Sequence, residues 1–238
     1  MLSESLSEYS ALMVMKNALN DDIKMKNFLR YDIDRYLKGR SNETKTEMPL
    51  YKVENQSYVH YGKGSVILYA LQDYIGEKKL NSVLNDFLEK YKYKTPYPTT
   101  LDFLTVLEKQ VPDSLNYLIT DWFKEITLYD YRLNNATYNQ KENGKYQVVM
   151  NVEAYKVKVD DKGSEVRIPL NDWVDIGIYA DQEERNLQYC ERVFFSEAHM
   201  EFIVETSFKP EIAAIDPKRL LIEKIVNNNV VRVEKLIE

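Results

Sequence analysis

The hydrophobic period of this chain changes once, near residue 128, and that change constrains the fold more than any other feature. Before it, apolar residues recur at helical spacing. The first such stripe is Leu2, Leu6, Tyr9, Met13 and Leu19. After it, apolar and polar residues tend to alternate, as in residues 146–152, which is typical of half-buried strands. The sequence therefore predicts a helical domain over residues 1–128 and a β domain over residues 129–238.

Turn and cap residues divide both parts into shorter elements. Gly39 and Gly76 follow apolar helical runs and are predicted to end two helices. In the second part, Asn143-Gly144 and residues 160–163 are predicted hairpin turns. Several short strands joined by such turns predict an antiparallel β-sandwich, so the predicted fold class is α+β.

Charge and cysteine content narrow the functional classes. The 238 residues carry a formal net charge of -6, and the Lys and Arg residues are dispersed. Attraction to nucleic acid or to an anionic lipid surface is therefore disfavoured. The single cysteine, Cys190, excludes an intrachain disulfide. No stretch of the sequence approaches the roughly 20 apolar residues that a membrane-spanning helix requires.

The histidines argue against a complete zinc site made by helical spacing. Only His60 and His199 are present, and they form no His-x-x-x-His pair. His60 adjoins Tyr61, so it could face a substrate cleft, but a structural or exposed histidine is the more common arrangement.

A short motif at the start of the chain says more about function than the hydrophobic periodicity does. Residues 2–9 read Leu-Ser-Glu-Ser-Leu-Ser-Glu-Tyr, with Tyr9 five positions after Glu4. This segment resembles the one that follows the His-Glu-x-x-His motif in M1 zinc aminopeptidases, where an Asn-Glu-Gly-like sequence precedes an aromatic residue. The resemblance implies that Glu4 is the third zinc ligand. Ser3 and Ser5 depart from the asparagine and glycine of the family. Taken alone, Glu4 also fits a surface glutamate in a first helical turn.

The second motif is more specific. Residues 61–65 read Tyr-Gly-Lys-Gly-Ser at the start of a predicted helix, where each glycine costs the helix roughly 0.5–1 kcal/mol. The segment resembles the Tyr-x-Lys-Gly sequence of the same family. The resemblance implies that the backbone passes close to the active site and that the Tyr61 hydroxyl stabilises the oxyanion of the tetrahedral intermediate. Tyr58 is a competing candidate that lacks the Lys-Gly neighbour.

Two further segments resemble the family in fold only. Trp122-Phe123 stands just before the predicted boundary, where the family carries a Trp-Phe pair that we interpret as core packing. Asp216-Pro217 resembles a turn before the last strands of the family's small β domain.

The resemblance covers essentially the whole chain and implies a position within the family. The His-Glu-x-x-His motif and the Gly-x-Met-Glu-Asn-type segment lie, in the family, before the position that corresponds to Met1. The chain is thus expected to be the C-terminal helical half of a thermolysin-like catalytic domain followed by a β-sandwich. The parent would be a zinc aminopeptidase that hydrolyses N-terminal peptide bonds of peptide substrates. The isolated chain is expected to hold no zinc and to be inactive.

Partners and compartment follow from the same resemblance. The missing N-terminal half of the catalytic domain is the expected partner, and the apolar surface that it would cover favours self-association. Some bacterial relatives of the family are fused to membrane-spanning segments, so a membrane-tethered parent stays open and the sequence assigns no compartment.

Two alternative functions remain open. The parent could be a pseudo-peptidase that keeps this fold as a scaffold, and a His-Glu-x-x-His motif roughly 18 residues before Glu4 would exclude that. Alternatively, the β-sandwich could be a protein- or glycan-binding module, which exposed aromatic residues in one row on a strand face would favour.

Overall fold

A computed structural model describes residues 1–160 and 162–236 of the chain. Its first half is helical. The α-helices are α1 (Leu2–Leu19), α2 (Asp22–Asn42), α3 (Gly64–Ile75), α4 (Glu77–Tyr91), α5 (Thr100–Leu107) and α6 (Tyr117–Ile119). Two π-helical turns, Tyr58–Lys63 and Thr120–Lys124, and a 3-10 turn, Asp113–Leu115, complete this half.

The second half consists mainly of strands. They are β1 (Thr127–Gln140), β2 (Tyr146–Val159), β3 (Glu165–Ile168), β4 (Asp172–Tyr179), β5 (Leu187–Phe195), β6 (His199–Thr206), β7 (Ile212–Ile215) and β8 (Val230–Lys235), with a 3-10 turn at Val226–Asn228. No helix occurs among the described residues between 145 and 207. The α+β class is therefore confirmed.

The described residues fall into two compact units. The helical unit contains Met1–Thr127, together with the described residues of Lys158–Val166 and Leu220–Ile222. The sheet unit contains the rest of the described chain.

Helix ends in the helical unit follow mostly local rules. The Asp21 carboxylate caps α2 by accepting from the backbone N–H groups of Ile23 and Lys24. Thr99 and Asp102 form a capping box at the start of α5. α3 ends at Gly76, as predicted. The predicted stop at Gly39 is wrong, because α2 continues to Asn42.

The reason that α2 continues through Gly39 is a close approach of two segments. A Cβ atom at Gly39 would lie 2.3 Å from the Cβ of Tyr58. Gly39 therefore makes room for Tyr58 and does not supply the left-handed conformation of a helix end.

α3 is the central helix of this unit. Every residue from Gly64 to Gln72 is buried, which is the pattern of a helix surrounded by protein on all sides. The predicted packing of Trp122 and Phe123 is also observed, since both side chains are buried. Within the part of the chain that the structure describes, no helix is long and apolar enough to cross a membrane.

The strands form one curled sheet that resembles a half-barrel more than a clear sandwich. The strand order is β3-β2-β1-β8-β7-β4-β5, with β6 paired to β2. Pairing is mixed, because β1 and β8 run parallel while β2–β6, β4–β5, β4–β7 and β7–β8 are antiparallel. Alternation in the sequence predicts strands and their buried faces, but it does not contain the long-range partner of each strand.

The predicted turns lie where the strand signals placed them. Gly144 has φ +81° between β1 and β2, and its N–H donates to the Lys141 carbonyl at 3.0 Å. The turn at 160–163 includes Asp161, which lies outside the described residues. Gly163 in that turn has φ +82°.

The sheet unit buries several charged side chains together with their partners. Lys156 and Asp172 form a buried ion pair with an N–O distance of 2.9 Å. Arg192 binds Asp175 at 2.7 Å, and Lys218 lies 3.2 Å from the same carboxylate. Glu223 is buried and accepts hydrogen bonds from the Tyr131 N–H and the Asn229 amide. Burial raises the pKa of Glu223 to about 8, although these two hydrogen bonds oppose the shift.

Candidate functional site

The structure brings together the two residues that the motifs single out. Glu4 lies in the first turn of α1, and Tyr61 lies in the π-helical turn that leads into α3. The Tyr61 hydroxyl lies close enough to the Glu4 carboxylate for the carboxylate to raise the pKa of the phenol. Both side chains are partly exposed. A carboxylate and a phenol from distant parts of the sequence thus form one polar pair that a ligand can reach.

The glycines of the second motif allow this approach. A Cβ at Gly62 would lie 3.0 Å from the Asp32 carbonyl oxygen, and one at Gly64 would lie 2.2 Å from the Ser5 Oγ. Helix backbones can pack this closely only where the side chain is absent. The glycines lie inside a continuous helical run from Tyr58 to Ile75, earlier than the predicted start at Tyr61.

The electrostatics favour a protonated phenol. The neighbouring Glu4 carboxylate raises the pKa of Tyr61, and the negative charge of Glu8 adds to the shift, while Arg35 opposes it. Because a phenol is already neutral at pH 7, the Tyr61 hydroxyl stays protonated and can donate a hydrogen bond to an oxygen that gains negative charge.

Three charged residues around the pair were not predicted. The Arg35 guanidinium lies 5.2 Å from the centre of the Tyr61 ring, within cation–π distance. Asp32 is buried, accepts a hydrogen bond from Ser65 Oγ at 3.3 Å, and has its pKa raised to about 6, mainly by burial. Glu8 stands four residues after Glu4, so helical spacing could have found it. Nothing in the local sequence marked Arg35 or Asp32.

His60 has a buried position next to the pair. Its ring centre lies 4.6 Å from that of Tyr61, in an edge-to-face arrangement. Burial lowers the pKa of His60, so its imidazole is neutral at pH 7. Its Nδ1 finds no hydrogen-bond partner among the described residues.

The competing tyrosine belongs to the core. Tyr58 is buried and stacks on Tyr36 with ring centres 6.0 Å apart. The Tyr36 hydroxyl donates to Glu47 at 2.6 Å. Lys63 of the second motif is also buried, with its Nζ 5.7 Å from the centre of the Tyr36 ring. Burial lowers the pKa of Lys63. The motif thus directs Tyr61 toward Glu4, and Tyr58 and Lys63 into the protein.

Comparison with known families decides the relationship. Residues 1–122, half of the chain, match the model of the peptidase family M1 domain. The chain belongs to peptidase family M1. None of the curated proteins matches the sequence of this M1 chain.

A solved structure supports the fold of the M1 chain over its whole length. The crystal structure of Legionella pneumophila aminopeptidase A in complex with aspartic acid aligns with a TM-score of 0.52 and 14% sequence identity. The alignment covers 99% of the M1 chain and 24% of the Legionella chain. The M1 chain thus spans about a quarter of that protein.

Zinc is the metal that the family implies, and the residues that the structure describes do not complete a site for it. Among the described residues, no group of three or more His, Cys, Asp or Glu side chains could hold a metal ion. Glu4 is a carboxylate of the type that zinc accepts, but catalytic zinc requires three protein ligands. His60 and His199 cannot supply a His-x-x-x-His pair.

Proposed function

We propose that the M1 chain is part of a zinc aminopeptidase that hydrolyses N-terminal peptide bonds. The observation that carries this proposal is the proximity of the Glu4 carboxylate to the Tyr61 phenol, since these two residues match the functional positions of the family motifs. Glu4 would supply one metal ligand, and the other ligands would come from outside these 238 residues. Zinc, when bound, supplies Lewis-acid activation of the carbonyl and of water.

The role of Tyr61 follows from its protonation and its exposure. The hydroxyl stays protonated at neutral pH and is partly exposed next to Glu4. It would donate a hydrogen bond to the substrate oxygen as that oxygen gains negative charge. Such a donor lowers the free energy of the transition state more than that of the bound substrate.

The solved relative is compatible with an exopeptidase. Legionella aminopeptidase A was crystallised with aspartic acid, a free amino acid of the kind that cleavage at a peptide N-terminus releases. A panel of peptides with different amino-terminal residues would measure the side-chain preference of the proposed enzyme.

The decisive experiment compares the two tyrosines in the full-length protein. Tyr61→Phe should lower kcat by roughly 100- to 1000-fold, about 3–4 kcal/mol, because one oxyanion donor is lost. KM should change little, since the charged oxygen exists only near the transition state. Zinc content should stay normal in Tyr61→Phe, whereas Glu4→Ala should lose zinc and activity together.

Tyr58→Phe is the matched control, because Tyr58 is a buried phenol on the same turn whose hydroxyl has no hydrogen-bond partner among the described residues. It should be nearly silent. Near-normal turnover in Tyr61→Phe would reject the proposal, and a wild-type protein without peptidase activity would point to a pseudo-peptidase scaffold.

A second test concerns the 238-residue chain itself. One carboxylate cannot replace three ligands, so we propose that the isolated chain neither binds zinc tightly nor hydrolyses peptides. Metal analysis after dialysis and an aminopeptidase assay would test this. Stoichiometric zinc together with hydrolysis would contradict it.

A further inference from the structure

Ser5 stands where the M1 motif has glycine, and its side chain links the neighbours of both functional residues. Ser5 is completely buried, and its Oγ donates a hydrogen bond to the His60 carbonyl at 2.7 Å. Ser5 follows Glu4 directly, and His60 directly precedes Tyr61. One buried hydrogen bond therefore joins the backbone beside the carboxylate to the backbone beside the phenol.

The turn that receives this hydrogen bond is unusual. Residues Tyr58–Lys63 are π-helical, and the Gly64 N–H bonds the Val59 carbonyl five residues earlier. An extra residue in a helical turn leaves a carbonyl group without its usual backbone N–H donor. A buried carbonyl of this kind requires a donor from elsewhere. Ser5 supplies a donor from α1 to one carbonyl of this turn.

Ser5 fits there only because residue 64 is glycine. A Cβ at Gly64 would lie 2.2 Å from Ser5 Oγ and 2.8 Å from Ser5 Cβ, with the next neighbour, Leu50 Cδ1, at 3.4 Å. Real Cβ atoms essentially never approach other atoms to less than 3.0 Å, as this Cβ would approach Ser5, so the serine hydroxyl occupies the space that a side chain at 64 would need. Ser5 and Gly64 are thus a matched pair at the contact of α1 with α3.

We propose that Ser5 is a positioning residue that holds the Tyr61 hydroxyl in register with Glu4. This inference rests on the proposed function. Ser5 is buried away from the surface, and its hydroxyl acts by fixing the π-helical turn against α1. Catalytic groups held loosely by about 1 Å can lose as much as 100-fold in rate, so a single buried anchor at this point has a measurable effect on turnover.

A purely structural Ser5 would behave differently. Removing its hydroxyl would then lower stability through the unsatisfied His60 carbonyl, and the surviving folded enzyme would turn over normally. The two roles therefore separate when kcat is measured on folded protein and compared with the melting temperature.

The first experiment uses full-length protein variants. Ser5→Ala should lower kcat roughly 10- to 100-fold and leave KM nearly unchanged. Ser10→Ala is the control, because Ser10 Oγ also donates to a backbone carbonyl at 2.7 Å, but to Leu6 within its own helix and on the exposed side. Ser10→Ala should keep normal kcat. Unchanged kcat in Ser5→Ala would overturn the proposal.

A double-mutant cycle tests whether Ser5 acts through Tyr61. If it does, Ser5→Ala should have no further effect on kcat in a Tyr61→Phe background. Equal fold losses in both backgrounds would show that Ser5 acts elsewhere and would overturn the inference, while the proposed function would stand. Normal turnover in Tyr61→Phe alone would instead reject the proposed function, and this inference with it.

A compensating pair separates packing from positioning. Gly64→Ala should lower the melting temperature because its methyl group meets Ser5. The double variant Ser5→Gly/Gly64→Ala should recover most of that loss, since the nearest remaining atom is Leu50 Cδ1. Its kcat should nevertheless stay as low as that of Ser5→Ala. Full recovery of kcat would mean that the hydroxyl is dispensable and would overturn the proposal.

The 238-residue chain offers a readout that needs no activity. Ser5→Ala should increase hydrogen exchange of the Gly64 amide, which belongs to the π-helical turn, relative to amides in α4. Ser10→Ala should leave the Gly64 amide unchanged. Identical exchange at Gly64 in Ser5→Ala and wild type would contradict an anchoring role.

Discussion

The helical unit and the sheet unit use their charged residues in different ways. In the sheet unit, Asp172 is buried with Lys156, and Asp175 is buried with Arg192 and Lys218 close by. In the helical unit, Glu4, Glu8 and Arg35 surround a phenol that is partly exposed. Charges that are paired in the interior contribute to structure, whereas charges left at a reachable surface are available to a ligand. We therefore expect the two units to respond differently to the loss of one charged residue.

The largest expected effect on stability concerns the buried pair of the sheet unit. Asp172→Ala leaves the Lys156 ammonium buried without this carboxylate, and breaking such a pair typically costs about 3–5 kcal/mol. Urea unfolding of the 238-residue chain should show this loss. Glu4→Ala in the same chain should barely change the unfolding midpoint. Similar losses from both variants would break the distinction between the units.

The second prediction compares two buried carboxyl groups, Glu223 in the sheet unit and Asp32 in the helical unit. Both have a pKa raised by burial, to about 8 for Glu223 and about 6 for Asp32. Each group therefore binds more protons in the folded state than in the unfolded state above its unfolded pKa. The free energy of unfolding falls as pH rises through that window, by at most about 1.4 kcal/mol per pH unit for each group.

The two windows differ, which makes the variants distinguishable. Glu223→Gln should remove part of the decline between pH 6 and 8, as measured by urea unfolding in a pH series. Asp32→Asn should change the curve mainly below about pH 6. The opposite result would contradict this prediction: the stability of the wild-type chain would rise between pH 6 and 8, and Glu223→Gln would abolish that rise.

The smallest effects concern glycine, which serves a different purpose in each unit. Gly39→Ala adds a methyl group 2.3 Å from Tyr58 Cβ, and such overpacking costs about 1–3 kcal/mol, offset by up to about 1 kcal/mol of helix propensity. Gly144→Ala meets no atom within 4 Å but must adopt φ +81°, which costs about 1–2 kcal/mol. Gly144→Asn should lose less stability than Gly144→Ala because asparagine tolerates this conformation. Gly39→Asn, in contrast, should be no more stable than Gly39→Ala. A clearly more stable Gly39→Asn variant would refute the packing explanation.

The same glycines show how far local sequence rules extend. Gly39 and Gly76 both follow helical runs, yet only Gly76 ends a helix. The contact that decides the case of Gly39 comes from Tyr58, which is distant in sequence, so no local pattern could contain it. The first helix makes a related point. Its apolar stripe begins with Leu2 and Leu6, yet the buried residues of α1 are Ser5, Tyr9 and Leu12.

The candidate site was predictable only where a motif marked it. Glu4 and Tyr61 were found because their motifs resemble those of the M1 family, and the structure places the two side chains close together. Their catalytic and metal-binding roles remain predictions. Arg35 reaches the same phenol from α2, and Asp32 of that helix binds Ser65 beside the second motif; the sequence of α2 looks like an ordinary amphipathic segment. In the sheet, the local sequence likewise could not predict the parallel pairing of β1 with β8, because these strands lie far apart in the sequence.

The π-helical turn at Tyr58–Lys63 acts like one residue inserted into a helix. Because an α-helix rotates by about 100° per residue, the extra residue changes the direction of the side chains on one flank of the turn relative to those on the other flank. This lets Tyr61 face Glu4 while α3 keeps its buried residues in the core. A single-residue deletion within 58–63 would turn the segment into a better helix by hydrogen-bond count. It would also force the chain to choose between a well-packed α3 and a tyrosine aimed at Glu4.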